Sequence, residues 1–398
     1  MKILGINQSH DTSIAVVDEQ GNITGVFEEE RSRRAKYFSP RLLKHAPNNY
    51  RDKGYHSPEE YLNDPINQVQ LLTIDHKQLH DADHVAFASF DRRDFHVQFV
   101  EDFLTDRVAQ RDFLPKLSAQ QLSQKRLQEL AEDEESPICD LVSQSGDDEA
   151  INGQILNQFV HATSSFDVTE HHKYHAICGF HLSPFNEAIV ITWDGGGAKC
   201  YEEDWPQYQE IECIWHAKDH VVTPLFKRMS NHRFVDAMQG ENFNLWPEGF
   251  LHCQTPETQT IDGVEVEFTS MPSNGMNFSN MSHALGCDDL GRAAGKVMGM
   301  ASYADKTIHM TNYHSKHTSA NLLEHEALAS AIATIQKGID LVPDCKNIIL
   351  SGGFSLNCTN NYKYLQAFPD HQIFVDPIPH DGGTAVGVAL DYVSNENS

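Results

Sequence analysis

The sequence predicts an α/β protein of two lobes, and three features carry that reading. Short apolar strands recur along the 398-residue chain, and four of them run into polar or glycine-rich loops, at Asn7 to Ser13, Asp194 to Gly197, Ser351 to Gly353 and His380 to Gly383. In open α/β sheets ligands bind at the strand ends, so four such junctions are read as one nucleotide cleft rather than four independent turns. A chain of this length also buries a substantial core, enough for two domains or one large α/β unit with insertions.

Taken in order, Lys2 to Ile6 is an apolar strand, Ile14 to Val17 a second, and Ile23 to Phe27 its hairpin partner across the turn Asp18 to Asn22. Asn7, Ser9, His10, Asp11, Thr12 and Ser13 crowd amide, imidazole and hydroxyl groups into the first loop. That loop is a plain turn or a phosphate-gripping hairpin whose hydroxyls and backbone N–H groups face an anion. Glu28 to Glu30, followed by Arg31, Arg33, Arg34 and Lys36, suits a helix start, a rim beside an anion, or a solvated face. From about 57 to 165 the chemistry thins. His84 to Phe90 looks like a strand and Gln98 to Leu130 has a mixed helical pattern, so this region is read as an inserted lid.

Glu170 to Ala176 is the stretch around which the rest is organised. On a helix, His171 and His175 share one face a turn apart, and two imidazoles can converge on one cation. Among 23 histidines that spacing also arises by chance, and plain core or surface imidazoles are the alternative. Ala188 to Trp193 is a buried-type strand ending in Asp194, Gly195, Gly196 and Gly197. There the glycines admit a ligand close to the backbone and the aspartate holds a cation or positions water, unless the whole is a hairpin turn.

Residues 200 to 280, rich in aromatics, His and Pro and carrying Lys227, Arg228 and Arg233, are read as a second insertion and an acceptor-binding surface. Gly291 to Ala301 embeds Arg292 and Lys296 among small residues, as beside a nucleotide, but without Walker-type glycine spacing. An amphipathic helix around Glu324 to Ile339 precedes the strand Asn347 to Leu350, which ends in Ser351, Gly352, Gly353 and, further on, Asn357. Ile373 to Val375 is a last strand, and His380, Asp381, Gly382 and Gly383 open a small-residue helix. Hairpin-led halves with a nucleotide between them are the architecture of the actin, sugar kinase and heat-shock ATPase superfamily, here with two lobes of about 1–185 and 186–398.

Bulk properties narrow the partners. No apolar run reaches the length of a membrane span and Met1-Lys2 leads straight into a strand, so the expectation is a cytoplasmic protein, or a host-cytoplasmic one if viral, without a membrane partner. Eight cysteines lack the short spacings of a zinc knuckle or redox dithiol and read as reduced packing residues. A formal charge of −27 repels polyanions on average, so any nucleic acid must be held by a local patch.

The motifs resemble a known family. Met1 to Asn7 with Ser9-His10-Asp11-Thr12-Ser13, Glu28 to Arg31 with Arg34 and Lys36, His171-His172 with His175-Ala176, and Ser183-Pro184-Phe185 look like the O-carbamoyltransferases that act on antibiotics and nodulation factors. Gly295-Lys296-Val297-Met298-Gly299, Ser351-Gly352-Gly353 with Leu356-Asn357-Cys358, and His380-Asp381-Gly382-Gly383 continue the match in the same order. The family's amino-terminal domain is also similar to the threonylcarbamoyl-transferring enzymes of transfer RNA modification.

That resemblance implies a metal on His171, His175 and Asp381, with Fe(II) foremost and Zn²⁺ or Mg²⁺ as alternatives. It implies ATP or carbamoyladenylate and carbamoyl phosphate as donors, with Asn7, Ser9, Thr12, Ser13 and Asp194 to Gly197 near the phosphate. Lys296, Gly352, Gly353 and Asn357 would border the adenosine. His10 is the candidate base for the acceptor hydroxyl, with Asp11 beside it, because an imidazole suits proton transfer near neutrality. The family usually continues into a carboxy-terminal domain that makes carbamoyladenylate. This sequence stops at Ser398, so either a separate adenylate-forming protein is expected or this one domain does both steps or uses carbamoyl phosphate directly.

The acceptor is expected to be a hydroxyl-bearing small molecule or hydroxymethylcytosine in DNA. Arg31, Arg34, Lys36, Lys227, Arg228 and Arg233 would form the acceptor-binding strip. Two other functions stay open at this point: an ATP-dependent kinase of the same superfamily, which needs no histidine pair, and a non-catalytic nucleotide-binding regulator.

Overall fold

The computed structural model describes residues 1–7, 11–28, 31, 82–88, 163–167, 170–200, 208–231, 256–287, 293–304 and 316–396. Most of the region read as an inserted lid lies outside the described residues. The chain divides into two compact units: Met1–His171 with Ala198–Gln207 and Thr384–Ser398, and His172–Gly197 with Tyr208–Gly383.

The first unit holds β1 (Lys2–Asn7), β2 (Ser13–Asp18), β3 (Ile23–Glu28), β4 (His84–Ala88) and β5 (Thr163–Asp167), in the sheet order β3-β2-β1-β4-β5. β1 and β2 are antiparallel, as are β2 and β3, whereas β4 lies parallel to both β1 and β5. Ile3, Leu4, Ile6, Ile14, Ala15 and Val17 are all fully buried, the continuous apolar run of strands covered on both faces. A helix, Thr384–Glu396, packs on this sheet so closely that a Cβ on Gly5 would lie 1.8 Å from the carbonyl oxygen of Ala385. His84 stacks on Tyr392 of the same helix with ring centroids 3.7 Å apart.

The second unit begins within α1 (His171–Leu182) and continues through β6 (Glu187–Trp193); a two-residue strand, β7 (Lys199–Cys200), intervenes in sequence before β8 (Tyr208–Lys218) and β9 (Val221–Ser230). β10 (Glu257–Ile261) and β11 (Val264–Thr269) follow, then α2 (Asn274–Ala284), α3 (Ala294–Ala301), α4 (Lys316–Leu341), β12 (Asn347–Ser351), α5 (Cys358–Ala367) and β13 (Gln372–Val375). The helix Thr384–Glu396 is α6. The main path of this sheet is β10-β11-β9-β8-β6-β12-β13.

Its last five strands repeat the order and directions of the first sheet. β6 pairs antiparallel with β8 and β8 antiparallel with β9, while β12 lies parallel to both β6 and β13. One five-strand arrangement built twice from different residues is the duplicated fold of the actin, sugar kinase and heat-shock ATPase superfamily.

The period-two alternation of a strand divides β6 between two helices. Ile189 and Ile191 face Ala327, Ala331 and Ile335 of α4, and Ala188 and Val190 face Ala176 and Phe180 of α1. α4 starts eight residues earlier than its amphipathic pattern suggests, because Ala320 and Leu323 extend the buried face through a polar stretch. The stretch 200–280, read as an insertion, contributes β8 and β9, the second and third strands of the repeat.

Candidate metal centre

α1 is buried on almost every side, which is why its sequence shows no clean apolar stripe. It is held against β6 by a polar pin: Trp215 Nε1 donates to Thr192 Oγ1 at 2.9 Å, and the same hydroxyl meets His172 Nδ1 at 3.1 Å. His171, the first residue of α1, and His175 stand one turn apart, both buried. Asp194 follows directly on the last residue of β6, and Gly195 N donates to its Oδ1 at 2.6 Å. Asp381 is buried in a short 3-10 turn, Asp381–Gly383, that leads into α6.

These residues converge. His175 Nε2 lies 3.4 Å from Asp194 Oδ2 and 3.7 Å from Asp381 Oδ1. One donor atom from each of His171, His175, Asp194 and Asp381 falls within 4.8 Å of all the others. Two imidazoles and two carboxylates at that separation fit a divalent transition metal such as Fe(II) or Zn²⁺ better than Mg²⁺, which prefers oxygen donors and keeps its waters.

Burial by itself would hold His175 neutral. Hydrogen bonds to Asp194 and Asp381 and the two negative charges outweigh burial and raise its pKa from 6.5 to about 9. In chelator-treated protein the imidazolium therefore holds the two carboxylates together. A raised folded-state pKa gives stability, here on the order of 3 kcal/mol, that is complete below about pH 6.5 and is lost as pH rises through about 9. The Tm of metal-free protein is expected to fall across that window, and saturating metal, which requires the neutral imidazole, to flatten the slope. A metal-free Tm that stays level from pH 6.5 to 9 would contradict this pairing.

Behind the donors lies Asp376, buried just past β13, its carboxyl pushed up by burial against the hydrogen bonds that stabilise its charge. The glycine junctions expected near a nucleotide assemble around Asp194. Ser273 Oγ donates to Gly195 O at 2.8 Å, Gly197 N donates to Glu210 O at 2.7 Å, and a Cβ on Gly196 would lie 2.9 Å from the Gln209 side chain. A Cβ on Gly353 would lie 2.9 Å from Asp194 Oδ1, and Gly352 adjoins it with φ +86°. Asn357 caps α5, accepting from Asn360 N at 3.2 Å and donating to Glu324 Oε2 at 3.2 Å. Lys296, on α3, donates from an exposed position to Cys287 O at 3.2 Å.

In the first unit Asn7 Nδ2 donates to Asp11 O at 3.0 Å across the hairpin loop, and Thr12 and Ser13 are buried. Ser9 and His10 lie outside the described residues. So do Arg34, Lys36 and Arg233 of the expected acceptor strip. Arg31 pairs with Glu28 at 2.8 Å on the surface. Lys227 is 2.5 Å from Glu210, and Arg228 is held by Glu212 and, at 2.6 Å, by Glu267. The charges of Lys227 and Arg228 are thus matched within the sheet.

Sequence reasoning placed Asp194 with the phosphate contacts, and the structure also sets it within reach of His171, His175 and Asp381. The signal that could have moved it was its strand-end position, shared with Asp381. Asp376 carried no local signal at all, and His172 only its place in the family motif, since their contacts depend on which strands become neighbours.

Known proteins resemble the chain in sequence over part of its length. Over 236 residues, 58% of this chain and 32% of the relative, the chain is 37% identical to nodulation protein NolNO of Sinorhizobium fredii. An uncharacterized Synechocystis protein, sll1178, is 23% identical over 238 residues, 57% of this chain and 37% of its own length. The matched part of the chain therefore spans about a third of these curated relatives. Component A of the (R)-2-hydroxyglutaryl-CoA dehydratase of Acidaminococcus fermentans aligns over 100% of both chains at 8% identity with a TM-score of 0.42. The family model described as carbamoyltransferase N-terminus matches residues 2–316, from β1 to the start of α4, and the chain belongs to that family.

Proposed function

We propose that this chain transfers a carbamoyl group from carbamoyladenylate, or from carbamoyl phosphate in the presence of ATP, to a hydroxyl acceptor. The observation that carries the reading is the convergence of His171, His175, Asp194 and Asp381 in a chain of the carbamoyltransferase family. Neither a kinase nor a nucleotide-binding regulator needs that donor set.

His171, His175, Asp194 and Asp381 would hold the metal, which when bound supplies Lewis-acid polarisation and a template for phosphate and carbonyl oxygens. Nothing lies within 4 Å of a Cβ built on Gly195, an open space beside Asp194 that suits close approach of a nucleotide phosphate, whereas at Gly352 and Gly353 that space is taken by Trp193 and Asp194 themselves. The roles of Asn7, Ser9, Thr12 and Ser13 in phosphate binding, and of His10 in taking the acceptor proton, come from the sequence motif. An alcohol has a pKa far above neutrality, so its attack on the carbamoyl carbon needs that proton removed as the bond forms.

An uncharged alcohol is favoured over DNA, because Lys227 and Arg228 are neutralised by Glu210, Glu212 and Glu267 and the chain carries −27 overall. The test is mass spectrometry of a panel of sugar, antibiotic and hydroxymethylcytosine-DNA acceptors after incubation with carbamoyl phosphate and ATP. It is run with and without the adenylate-forming domain of a relative. One carbamoyl mass increment on a small-molecule hydroxyl supports the reading; an increment on DNA keeps the chemistry and reverses the acceptor; phosphoryl transfer instead would establish a kinase.

A further inference from the structure

We propose that Asp376 is the positioning residue of the metal centre, tying together the elements on which its donors are mounted. The inference rests on the metal reading above and adds a residue that is not one of the four donors but fixes their supports. The carboxylate of Asp376, 2% exposed, accepts from Ser351 Oγ at 2.6 Å and from the backbone N–H of Ile378 at 2.8 Å. The buried thiol of Cys178 is the third polar group beside it, pushed well up by burial and by the charge of Asp376.

Each of those three groups belongs to a different part of the site. Cys178 lies one turn beyond His175 on α1, Ser351 ends β12 just before Gly352, and Ile378 opens the segment that leads to Asp381. The surrounding contacts leave no slack. A Cβ on Gly179 would lie 3.1 Å from Ile349 Cγ2 and 3.4 Å from Asp376 Oδ2, so α1 meets β12 at a glycine. A Cβ on Gly383 would lie 2.2 Å from Ile378 O and 3.2 Å from Cys178 Sγ, which seats the Asp381 turn on α1. An apolar residue at 376 would leave the Ser351 hydroxyl and the Ile378 N–H without their acceptor in a buried place. Outer partners that orient ligands change metal affinity by roughly tenfold to a hundredfold.

The experiment titrates Co(II) alone into the full chain, reading visible absorption and affinity by chelator competition, for wild type, Asp376→Ala, Asp376→Asn and Ser351→Ala. The expected result is about tenfold to hundredfold weaker Co(II) binding in Asp376→Ala, with an altered spectrum at saturation. Asp376→Asn, which keeps an acceptor for Ile378 N–H and a partner for Ser351, is expected to restore most of both. Should Asp376→Ala fail to fold, Ser351→Ala removes a single bond at the end of β12 and is expected to give a smaller loss with the same spectral change. Wild-type affinity and spectrum in the folded variants, with only a lower Tm, would show that Asp376 merely holds the fold and would overturn the proposal. A wild type without Co(II) bands would overturn the metal reading itself, an outcome distinct from the first because all four proteins would then look alike.

Discussion

Replacing His175 with alanine is expected to lower metal affinity by at least about a hundredfold, beyond what loss of an outer partner costs, and with it the proposed carbamoyl transfer. His175 is fully buried and is the residue whose ring nitrogen approaches both Asp194 and Asp381. Its removal deletes a donor and also leaves two carboxylates facing each other without the intervening cation. Breaking a buried ion pair by deleting one partner destabilises by roughly 3 to 5 kcal/mol, so metal-free His175→Ala should also have a lower Tm at neutral pH. His216→Ala is the control, since His216 pairs with Glu187 at 2.9 Å from a partly exposed position remote in sequence from the donors. Metal titration followed by calorimetry, with and without chelator, separates the two effects. Wild-type metal affinity in His175→Ala would remove this residue from the centre.

The second large effect is expected at Gly352. Its φ of +86° is a conformation that side chains rarely adopt, and a Cβ there would lie 2.2 Å from the carbonyl oxygen of Trp193 and 2.8 Å from the carbonyl carbon. With ψ +156° this backbone lies in a region open essentially only to glycine, which costs another residue roughly 1 to 3 kcal/mol by itself. The clash adds more, because the end of β6 is anchored by the hydrogen bond from Trp193 Nε1 to Ser355 Oγ at 2.6 Å. Gly352→Ala is therefore expected to lose at least about 3 kcal/mol of stability. It should also weaken metal binding, since Asp194 follows Trp193 immediately. Gly195→Ala supplies the comparison: nothing lies within 4 Å of a Cβ built there, so its Tm should stay close to wild type. Denaturant unfolding of the two variants side by side decides whether the position, not the residue type, carries the effect.

Much of the fold was legible because the strands announce themselves. Lys2 to Ile6, Ile14 to Val17 and Ile23 to Phe27 needed only a residue or so at their ends to become β1, β2 and β3, and Ala188 to Trp193 lacked only Glu187. Those segments are short apolar or alternating runs bounded by turn residues, so local pattern and final environment agree. β8 and β9 were hidden because Glu210, Glu212, Lys227 and Arg228 break up their apolar pattern. The four charges are tolerated in the sheet by pairing with one another and, through Arg228, with Glu267, and pairing across strands has no signature within either strand.

The site divides in the same way. His171 and His175 were legible as a pair because a helix turn puts them on one face, a local fact. Asp194 and Asp381 meet only because β6, β12 and β13 lie side by side in parallel, which no spacing in the sequence records. Asp381 was expected there through the family motif and Asp194 among the phosphate contacts, and the structure brings both beside His175. Asn357 was read as a nucleotide contact, and the structure adds that its side chain caps α5 and donates to Glu324.

Anomalous scattering from crystals of the chain grown with Fe(II) or Co(II), collected on both sides of the metal absorption edge, tests the metal centre most directly. One peak is expected, bonded to imidazole nitrogens of His171 and His175 and carboxylate oxygens of Asp194 and Asp381, at roughly 2.0 to 2.2 Å as such ligands bind divalent transition metals. A peak coordinated elsewhere, with these four side chains apart or bonded only to one another, would contradict it.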